Sequence, residues 1–311
     1  MNILITGGAG YLGSTMAEFL LDRGDNVTVF DNLMYQQTSL LHLFKRPGFT
    51  FILGDVRDTK KLLDLAAIND VIIPLAAIVG MPACKDNPQL AVDVNFNHVN
   101  EIVSAIRSDQ KLIMPNTNSQ YGSSDSIITE DSPFNPLSLY AQTKCDAEDA
   151  VLKRGNGVAL RLATVFGVSP RMRLDLLVND FTYKSVTDGY LVLFEAHFKR
   201  NYIHVQDIAR TFGFVIDNYD KCAGQAFNVG LSSANLSKLE LAEQIKKHIP
   251  RLVIKQDAYK EDFDKRNYIV SNEKIENLGW FPKYDLNYGI SQLISAYQLI
   301  VKNNNRSFTN L

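Results

Sequence analysis

The chain has 311 residues, of which 46% are hydrophobic and 21% charged, and its formal net charge is −2. This length and composition suit one large α/β domain or two packed lobes. Because there is no basic surplus, we expect neither nucleic acid nor a membrane surface as a partner. Three cysteines without a paired motif, Cys84, Cys145 and Cys222, and a start without a signal-peptide pattern predict a cytoplasmic protein with free thiols.

Short β-branched runs alternate with amphipathic stretches through the first half of the chain. The predicted strands cover residues 2–6, 26–31, 49–54, 70–75, 110–114 and 157–162. The predicted helices cover residues 12–23, 60–67, 88–107 and 139–153. This alternation predicts a Rossmann-type α/β fold, in which helices cover both faces of a doubly wound parallel sheet.

The pattern loosens after about residue 164 and predicts a smaller C-terminal α/β lobe. Helices are expected at residues 174–187, 205–218, 238–248, 272–278 and 286–302, and strands at 191–194, 226–229 and 252–256. We therefore divide the chain into residues 1–165 and 166–311, and expect it to cross between the two lobes. The polar segment 303–307 is expected to fray.

A glycine-rich segment, Gly7 to Gly13, joins the first predicted strand to the first predicted helix. Glycines here let the backbone turn tightly and approach a pyrophosphate, and the helix N-terminus offers free N–H groups to the anion. Asp31 ends the next strand, 18 residues after Gly13. A carboxylate there accepts hydrogen bonds from ribose hydroxyls and repels a 2′-phosphate, so the pattern predicts NAD in residues 1–165 rather than NADP.

Further cofactor contacts are expected where other strands end, because ligands of such sheets bind at the carboxyl edge. Asp55 and Val56 follow the third strand, and Leu75 to Ala77 end the fourth. The predicted cofactor-binding residues are Gly7, Gly10, Tyr11, Leu12, Gly13, Asp31, Asn32, Asp55, Val56, Leu75, Ala76, Ala77, Asn95, Tyr140 and Lys144.

Tyr140 and Lys144 are four residues apart on a predicted helix, which places their Cβ atoms roughly 5–6 Å apart on one face. The ammonium should lower the pKa of Tyr140, which can then accept a hydroxyl proton while hydride leaves the same carbon. Thr117, just past the fifth strand, could orient the substrate oxygen. Asn95 either holds a water or the lysine in a proton relay, or is a buried residue that serves the backbone.

Several motifs occur in a fixed order: the glycine segment, Asp31-Asn32-Leu33, Tyr140-x-x-x-Lys144, and the runs 161–167, 200–207 and 278–282. In these, essentially the whole chain resembles the extended short-chain dehydrogenase/reductase family that acts on nucleotide sugars. The resemblance implies that Thr117, Tyr140 and Lys144 are catalytic. It also implies a homodimer formed through the helices 88–107 and 139–153.

The resemblance further implies that Asn179, Arg200 and Arg266 meet the nucleotide diphosphate of the substrate. Arginine independently suits this role, because its planar fork matches phosphate oxygens. We place Ser119 with the substrate as well, and regard Arg171 and Arg173 as weaker candidates. No spacing of metal ligands is evident, so no metal is predicted.

The two residues after the predicted catalytic threonine differ among family members that catalyse different reactions. The 4,6-dehydratases carry an Asp-Glu pair there and the 3,5-epimerase/reductases a cysteine, whereas this chain has Asn118 and Ser119. Two reactions therefore stay possible, oxidation at carbon 4 and 4-epimerisation. A non-catalytic NAD-binding scaffold is a remote alternative, because it should have lost Thr117, Tyr140 or Lys144, and all three are present. Runs 115–122, 161–183 and 264–268 are most similar to GDP-D-glycero-α-D-manno-heptose 4-dehydrogenases of capsule biosynthesis, which implies a GDP-sugar.

Overall fold

The computed structural model describes residues 1–257 and 266–300, which contain fourteen strands and twelve α-helices. The strands are β1 (Asn2–Thr6), β2 (Asn26–Asp31), β3 (Phe49–Leu53), β4 (Val71–Pro74), β5 (Lys111–Thr117), β6 (Ile127–Ile128), β7 (Val158–Leu162), β8 (Thr164–Phe166), β9 (Tyr190–Phe194), β10 (Lys199–His204), β11 (Ala226–Val229), β12 (Asn235–Ser237), β13 (Val253–Asp257) and β14 (Ile269–Val270). The helices are α1 (Tyr11–Asp22), α2 (Thr59–Ala67), α3 (Met81–Asp86), α4 (Pro88–Val92), α5 (His98–Ala105), α6 (Leu139–Lys153), α7 (Leu177–Thr187), α8 (Val205–Asp217), α9 (Tyr219–Cys222), α10 (Lys238–His248), α11 (Glu273–Glu276) and α12 (Leu286–Ile300).

Seven parallel strands form the main sheet in the order β11-β7-β5-β4-β1-β2-β3. The central strands are buried on both faces, because α1 and α8 pack together on one side while α2, α5 and α6 cover the other. The strand order reverses between β1 and β4, which leaves a crevice at the carboxyl edge. The predicted Rossmann fold class is confirmed.

The smaller lobe contains the sheet β12-β10-β8 and the pair β13-β9, with α7, α10 and α12 around a second hydrophobic core. The placement of strand 226–229 in this lobe was wrong, because β11 pairs with β7 and forms an edge of the main sheet. The chain thus crosses between the lobes, and the division at residue 165 stays a prediction. Strand β10 was missed, although it lies at the centre of the smaller sheet.

Two predicted elements differ from the structure near the site. The predicted helix 88–107 is helical from Pro88 to Ala105, but a π-helical segment, Asp93–Asn97, which contains Asn95, separates α4 from α5. The fifth strand extends to Thr117, because residues 115–117 pair with residues 160–162 of β7.

Residues beyond Ile300, and part of the run 264–268, lie outside the described residues. In the described ranges, no helix has the length and apolar character needed to span a bilayer.

Candidate active site

A cleft of about 980 Å³ lies at the carboxyl ends of the main-sheet strands and is lined on its other side by residues of the smaller lobe. Most of the predicted site residues line it. They are Gly7, Gly10, Tyr11, Leu12, Gly13, Asp31, Asn32, Asp55, Val56, Leu75, Ala76, Ala77, Thr117, Ser119, Tyr140, Lys144, Arg200 and Arg266. The fold therefore brings residues from both halves of the chain to one cavity.

The glycine segment packs too closely for side chains. Gly7 has a φ of +69°, and a Cβ there would lie 2.6 Å from the Cα of Ala76. A Cβ on Gly13 would lie 2.6 Å from the Cα of Gly8. Helix α1 begins after Gly10 without a side-chain cap, so its first N–H groups stay available to an anion. This cradle fits the pyrophosphate of a dinucleotide.

Asp31 fixes the glycine segment to the loop that follows β2. Its Oδ2 atom accepts a hydrogen bond of 2.9 Å from the backbone N–H of Ala9, and Oδ1 accepts one of 2.8 Å from Leu33. Burial raises the pKa of this carboxyl, while the two backbone donors lower it. A carboxylate held at the cleft wall fits a ribose with free hydroxyls.

Asp55 lies on the same side of the cleft as part of an ion pair. Arg57, which the sequence analysis did not select, donates to both of its carboxylate oxygens at 2.9 and 2.8 Å. Asn32 donates to Oδ2 at 3.1 Å. These bonds, with Arg57 first, hold the pKa of Asp55 well below its usual range. The carboxylate is therefore charged at neutral pH.

Thr117, Tyr140 and Lys144 converge where the C-terminal end of β5 meets helix α6. Ser138 caps this helix by accepting a hydrogen bond from Ala141 N, so Tyr140 lies in its first turn. The side chain of Thr117 is one of the groups that lower the pKa of Tyr140, so the two side chains are neighbours. The arrangement has the geometry needed to hold a substrate hydroxyl between a threonine and a tyrosine.

The protonation of the pair differs from the expectation. Burial raises the pKa of Tyr140 to about 12, and the cations that oppose this rise are Arg173 and Arg266. Lys144 donates to the carbonyl of Pro115 at 2.7 Å, and burial lowers its own pKa to about 8. The predicted lowering of the Tyr140 pKa was therefore wrong for the protein chain alone, because desolvation outweighs the nearby positive charges.

Ser119 connects Arg266 to Thr117. Arg266 donates to the hydroxyl oxygen of Ser119, and Thr117 donates to the same atom at 3.0 Å. The backbone N–H of Ser119 in turn donates to Thr117 Oγ1 at 3.1 Å. Arg266 is thus adjacent to the residues that would hold the reacting carbon, and not only to a diphosphate. Within the described residues, no carboxylate is hydrogen-bonded to Thr117 or Ser119.

Two predicted site residues lie behind the cleft wall. Asn95 accepts a hydrogen bond from Ile78 N at 2.7 Å and donates one to Ile78 O at 3.1 Å. Its amide therefore binds the backbone, which is the alternative to a proton relay that the sequence left open. Asn179 is fully buried, accepts from Gly167 N at 3.0 Å and donates to Arg173 O at 2.8 Å. Direct contact of Asn179 with a diphosphate was therefore wrong, because its amide holds the loop that carries Arg173.

The smaller lobe contributes a cationic wall to the cleft, formed by Arg171, Arg173, Arg200 and Arg266. The sequence had singled out only the last two as substrate-binding residues. Arg171 and Arg173, the weaker candidates, both line the cleft. The guanidinium of Arg171 lies 5.1 Å from the ring centre of Tyr35, and Arg200 lies 5.5 Å from that of Tyr268. No local signal marks these aromatic residues, because each lies far along the chain from its arginine and tertiary packing brings the two together.

Residues 3–230 match the model of the NAD dependent epimerase/dehydratase family. The chain is 27% identical to a low-salt glycan biosynthesis protein of Haloferax volcanii, over 96% of this chain and 98% of that protein. It is 26% identical to CDP-paratose 2-epimerase of Salmonella typhi, over 94% and 98% of the two chains. UDP-glucuronic acid 4-epimerase from Bacillus cereus, solved with UDP-glucuronic acid and NAD, has the same fold: the TM-score is 0.84 at 24% identity, over 96% of this chain and 100% of that one.

Proposed function

The chain belongs to the NAD dependent epimerase/dehydratase family, and we propose that it oxidises carbon 4 of a nucleotide-activated sugar to the 4-keto sugar. The observation that carries the proposal is the meeting of Thr117, Tyr140 and Lys144 in the cleft that the glycine segment also lines. NAD is the cofactor of the family, and the cradle of Gly7 and Gly13 and the carboxylate of Asp31 fit it.

In this mechanism, Tyr140 takes the proton of the carbon-4 hydroxyl while Thr117 orients the oxygen. Bound NAD would be held by Gly7, Gly13 and Asp31, and the chemistry it would supply is acceptance of the hydride from that carbon. Lys144, four residues after Tyr140 on α6, supplies positive charge on the same helix face and is held in place by its bond to Pro115. Burial raises the pKa of Tyr140 to about 12 despite the charges of Arg173 and Arg266, so the tyrosine must lose its own proton before it can take one from the substrate.

The contacts of Ser119 favour oxidation without loss of water. Eliminating water from the sugar needs an acid and a base next to the reacting carbons. In the described part of the chain, the residue two positions after Thr117 instead offers a hydroxyl that is hydrogen-bonded to Arg266 and Thr117. A 4-keto product is therefore the expected end of the reaction.

For the substrate we propose GDP-D-glycero-α-D-manno-heptose. The support is the similarity of the runs 115–122, 161–183 and 264–268 to the GDP-heptose 4-dehydrogenases, together with a cationic wall suited to a nucleoside diphosphate. A cytoplasmic homodimer, formed through α4, α5 and α6, is part of the same proposal. The alternative is a 4-epimerase with the same residues, since CDP-paratose 2-epimerase and UDP-glucuronic acid 4-epimerase are among the relatives.

The test is incubation with GDP-heptose and stoichiometric NAD, followed by absorbance at the reduced-nicotinamide band and by NMR of the sugar. Accumulation of NADH together with a 4-keto product is the expected result. A new sugar epimer without net reduction of NAD would overturn the dehydrogenase in favour of the epimerase. Absence of turnover with any GDP- or UDP-sugar, in a protein that binds NAD, would instead indicate a scaffold.

A further inference from the structure

A buried ion pair lies directly behind the residues proposed to be catalytic. Glu148 is 1% exposed, and its Oε1 atom accepts hydrogen bonds from Nε and Nη2 of Arg161 at 3.0 and 2.6 Å. Arg161 is 5% exposed and also donates to the hydroxyl of Tyr121 at 2.6 Å and to the carbonyl of Glu130 at 2.8 Å. An ion pair so fully bonded is rigid, since every polar atom has a defined partner.

The glutamate of this ion pair lies on the same face of helix α6 as the proposed catalytic pair, Tyr140 and Lys144. Tyr140, Lys144 and Glu148 follow one another at intervals of four residues on α6. Residues at this spacing lie above one another on one face of a helix. The strand β7 places Arg161 beside Asn116 of β5 in the parallel register. The ion pair thus faces the end of the strand that carries Thr117.

Asn116 connects the ion pair to both sides of the site. Its Nδ2 group donates to Oε2 of Glu148 and, at 3.3 Å, to the carbonyl of Lys144. Its Oδ1 atom accepts a hydrogen bond of 2.9 Å from the backbone N–H of Thr117. The buried amide of Asn116, which is 4% exposed, therefore connects helix α6 to the end of strand β5.

We propose that Glu148 is a positioning residue of this active site, acting through Asn116 to hold Thr117 against helix α6 and lying with its negative charge behind Lys144. The inference rests on the proposed oxidation, because it assumes that Thr117, Tyr140 and Lys144 act together. A hydroxyl donor and a base must be held to within a fraction of an ångström for efficient proton transfer. Besides two backbone partners, the Asn116 amide has one charged acceptor, the Glu148 carboxylate, which is the partner that a substitution can remove.

The charges around Lys144 support the second half of the proposal. Burial lowers the pKa of Lys144 to about 8, and the Glu148 carboxylate is the charge that raises it again. The other titratable groups packed here are His98 of α5, Cys145 of α6, and Arg161 and Tyr121 around the carboxylate. Burial lowers the pKa of His98 to about 3 and raises that of Cys145 to about 12. His98 is therefore neutral, and Cys145 a neutral thiol, across the working range.

The test is Glu148→Gln, which keeps the shape and an acceptor oxygen but removes the charge. With the nucleotide sugar that the wild-type protein oxidises, we expect kcat to fall about 10- to 100-fold while KM for NAD changes less than about threefold. The alkaline limb of the kcat profile should move to lower pH, because Lys144 then loses its proton earlier. Glu243→Gln, an exposed change on α10, is the matched control and should leave all three quantities unchanged.

The pH profile of kcat distinguishes a positioning role of Glu148 from a purely structural one. A loss of kcat in Glu148→Gln without movement of the alkaline limb overturns the proposal, and so does a kcat within twofold of wild type. Because an unpaired Arg161 could unfold the protein, the double variant Glu148→Leu with Arg161→Met removes both charges together. It should fold and lose kcat, because Asn116 then has no carboxylate acceptor, and a wild-type kcat in this variant also overturns the proposal.

One readout needs no substrate and so separates this proposal from the proposed function. In protein labelled at lysine Cε with ¹³C, the Lys144 resonance is identified by its loss in Lys144→Met. Its titration midpoint should be lower in Glu148→Gln than in the wild type, and unchanged in Glu243→Gln. An unchanged midpoint in Glu148→Gln contradicts the inference even if turnover is found, and a lowered one supports its electrostatic half even if no sugar is oxidised.

Discussion

The ammonium group of Lys144 donates a hydrogen bond of 2.7 Å to the backbone carbonyl of Pro115. Pro115 lies two residues before Thr117, so this bond fastens helix α6 to the strand end that carries the threonine. Residues 115–117 pair with β7, so the carbonyl that accepts this bond belongs to a fixed strand end. The lysine therefore has a structural task in addition to its electrostatic one.

The buried ammonium predicts a pH dependence of stability. Its pKa of about 8 lies below the ordinary value of 10.5, so the folded state binds this proton less tightly than the unfolded state. The resulting destabilisation is complete below pH 8 and disappears as the pH rises toward 10.5, with an amplitude of about 3 kcal/mol. In urea titrations, the free energy of unfolding of the wild type relative to Lys144→Met should rise between pH 7 and pH 10. Parallel pH curves for the two proteins would contradict the low pKa.

Removing the hydroxyl of Tyr140 should abolish hydride transfer and spare the cofactor. In Tyr140→Phe the substrate proton has no acceptor, so we expect the rate of NAD reduction to fall by about 10³-fold or more. Binding of NAD, measured by calorimetry, should change less than about threefold, because the cofactor cradle is formed by other residues. Retained turnover in this variant would exclude Tyr140 as the base.

The hydroxyl of Ser119 should matter for rate more than for stability. Ser119→Ala removes the atom that accepts hydrogen bonds from both Arg266 and Thr117, so Thr117 loses a fixed orientation. We expect kcat to fall about 10-fold with a change in unfolding free energy of about 1 kcal/mol. Ser126→Ala, an exposed serine on the neighbouring loop, is the control and should be neutral. Equal rates for the two variants would mean that Ser119 does not orient Thr117.

Two glycines with similar backbone conformations allow the cost of backbone strain to be measured apart from the cost of a steric clash. Gly7 and Gly24 both have positive φ, +69° and +88°, but a Cβ at Gly24 would meet nothing within 4 Å. Gly24→Ala should therefore destabilise by about 1 kcal/mol, from backbone strain alone. Gly7→Ala adds a collision with the Ala76 backbone and should also weaken NAD binding at least about 10-fold. Comparable NAD affinity in both variants would show that close packing at Gly7 is not needed for the cofactor.

Local signals were sufficient for the cofactor half of the site. Strand, glycine turn, helix and a terminal aspartate are consecutive in the chain, and each has its own sequence signal. The structure accordingly places Gly7, Gly13 and Asp31 around one cleft. Tyr140 and Lys144 were equally accessible to prediction, because helical periodicity alone puts them on one face.

Non-local contacts explain what the sequence analysis missed. Asn179 and Asn95 carry the same amide that binds phosphates or relays protons elsewhere, and only the structure shows those amides bonded to Gly167 and Ile78. The π-helical turn around Asn95 interrupts a pattern that reads as one helix. Asn116 and Glu148 lie 32 residues apart in the chain, so no spacing rule connects them.

The sequence by itself determined the alternation of strands and helices in the first half of the chain, the glycine cradle and the shared helix face of Tyr140 and Lys144, because all of these depend on residues a few positions apart. The tertiary structure decided which polar residues face the cleft and which serve the backbone, and it placed Arg266 beside Ser119 and Thr117. It also decided the protonation of the pair. The pKa values of Tyr140 and Lys144 follow from burial, which depends on how the whole chain packs around them.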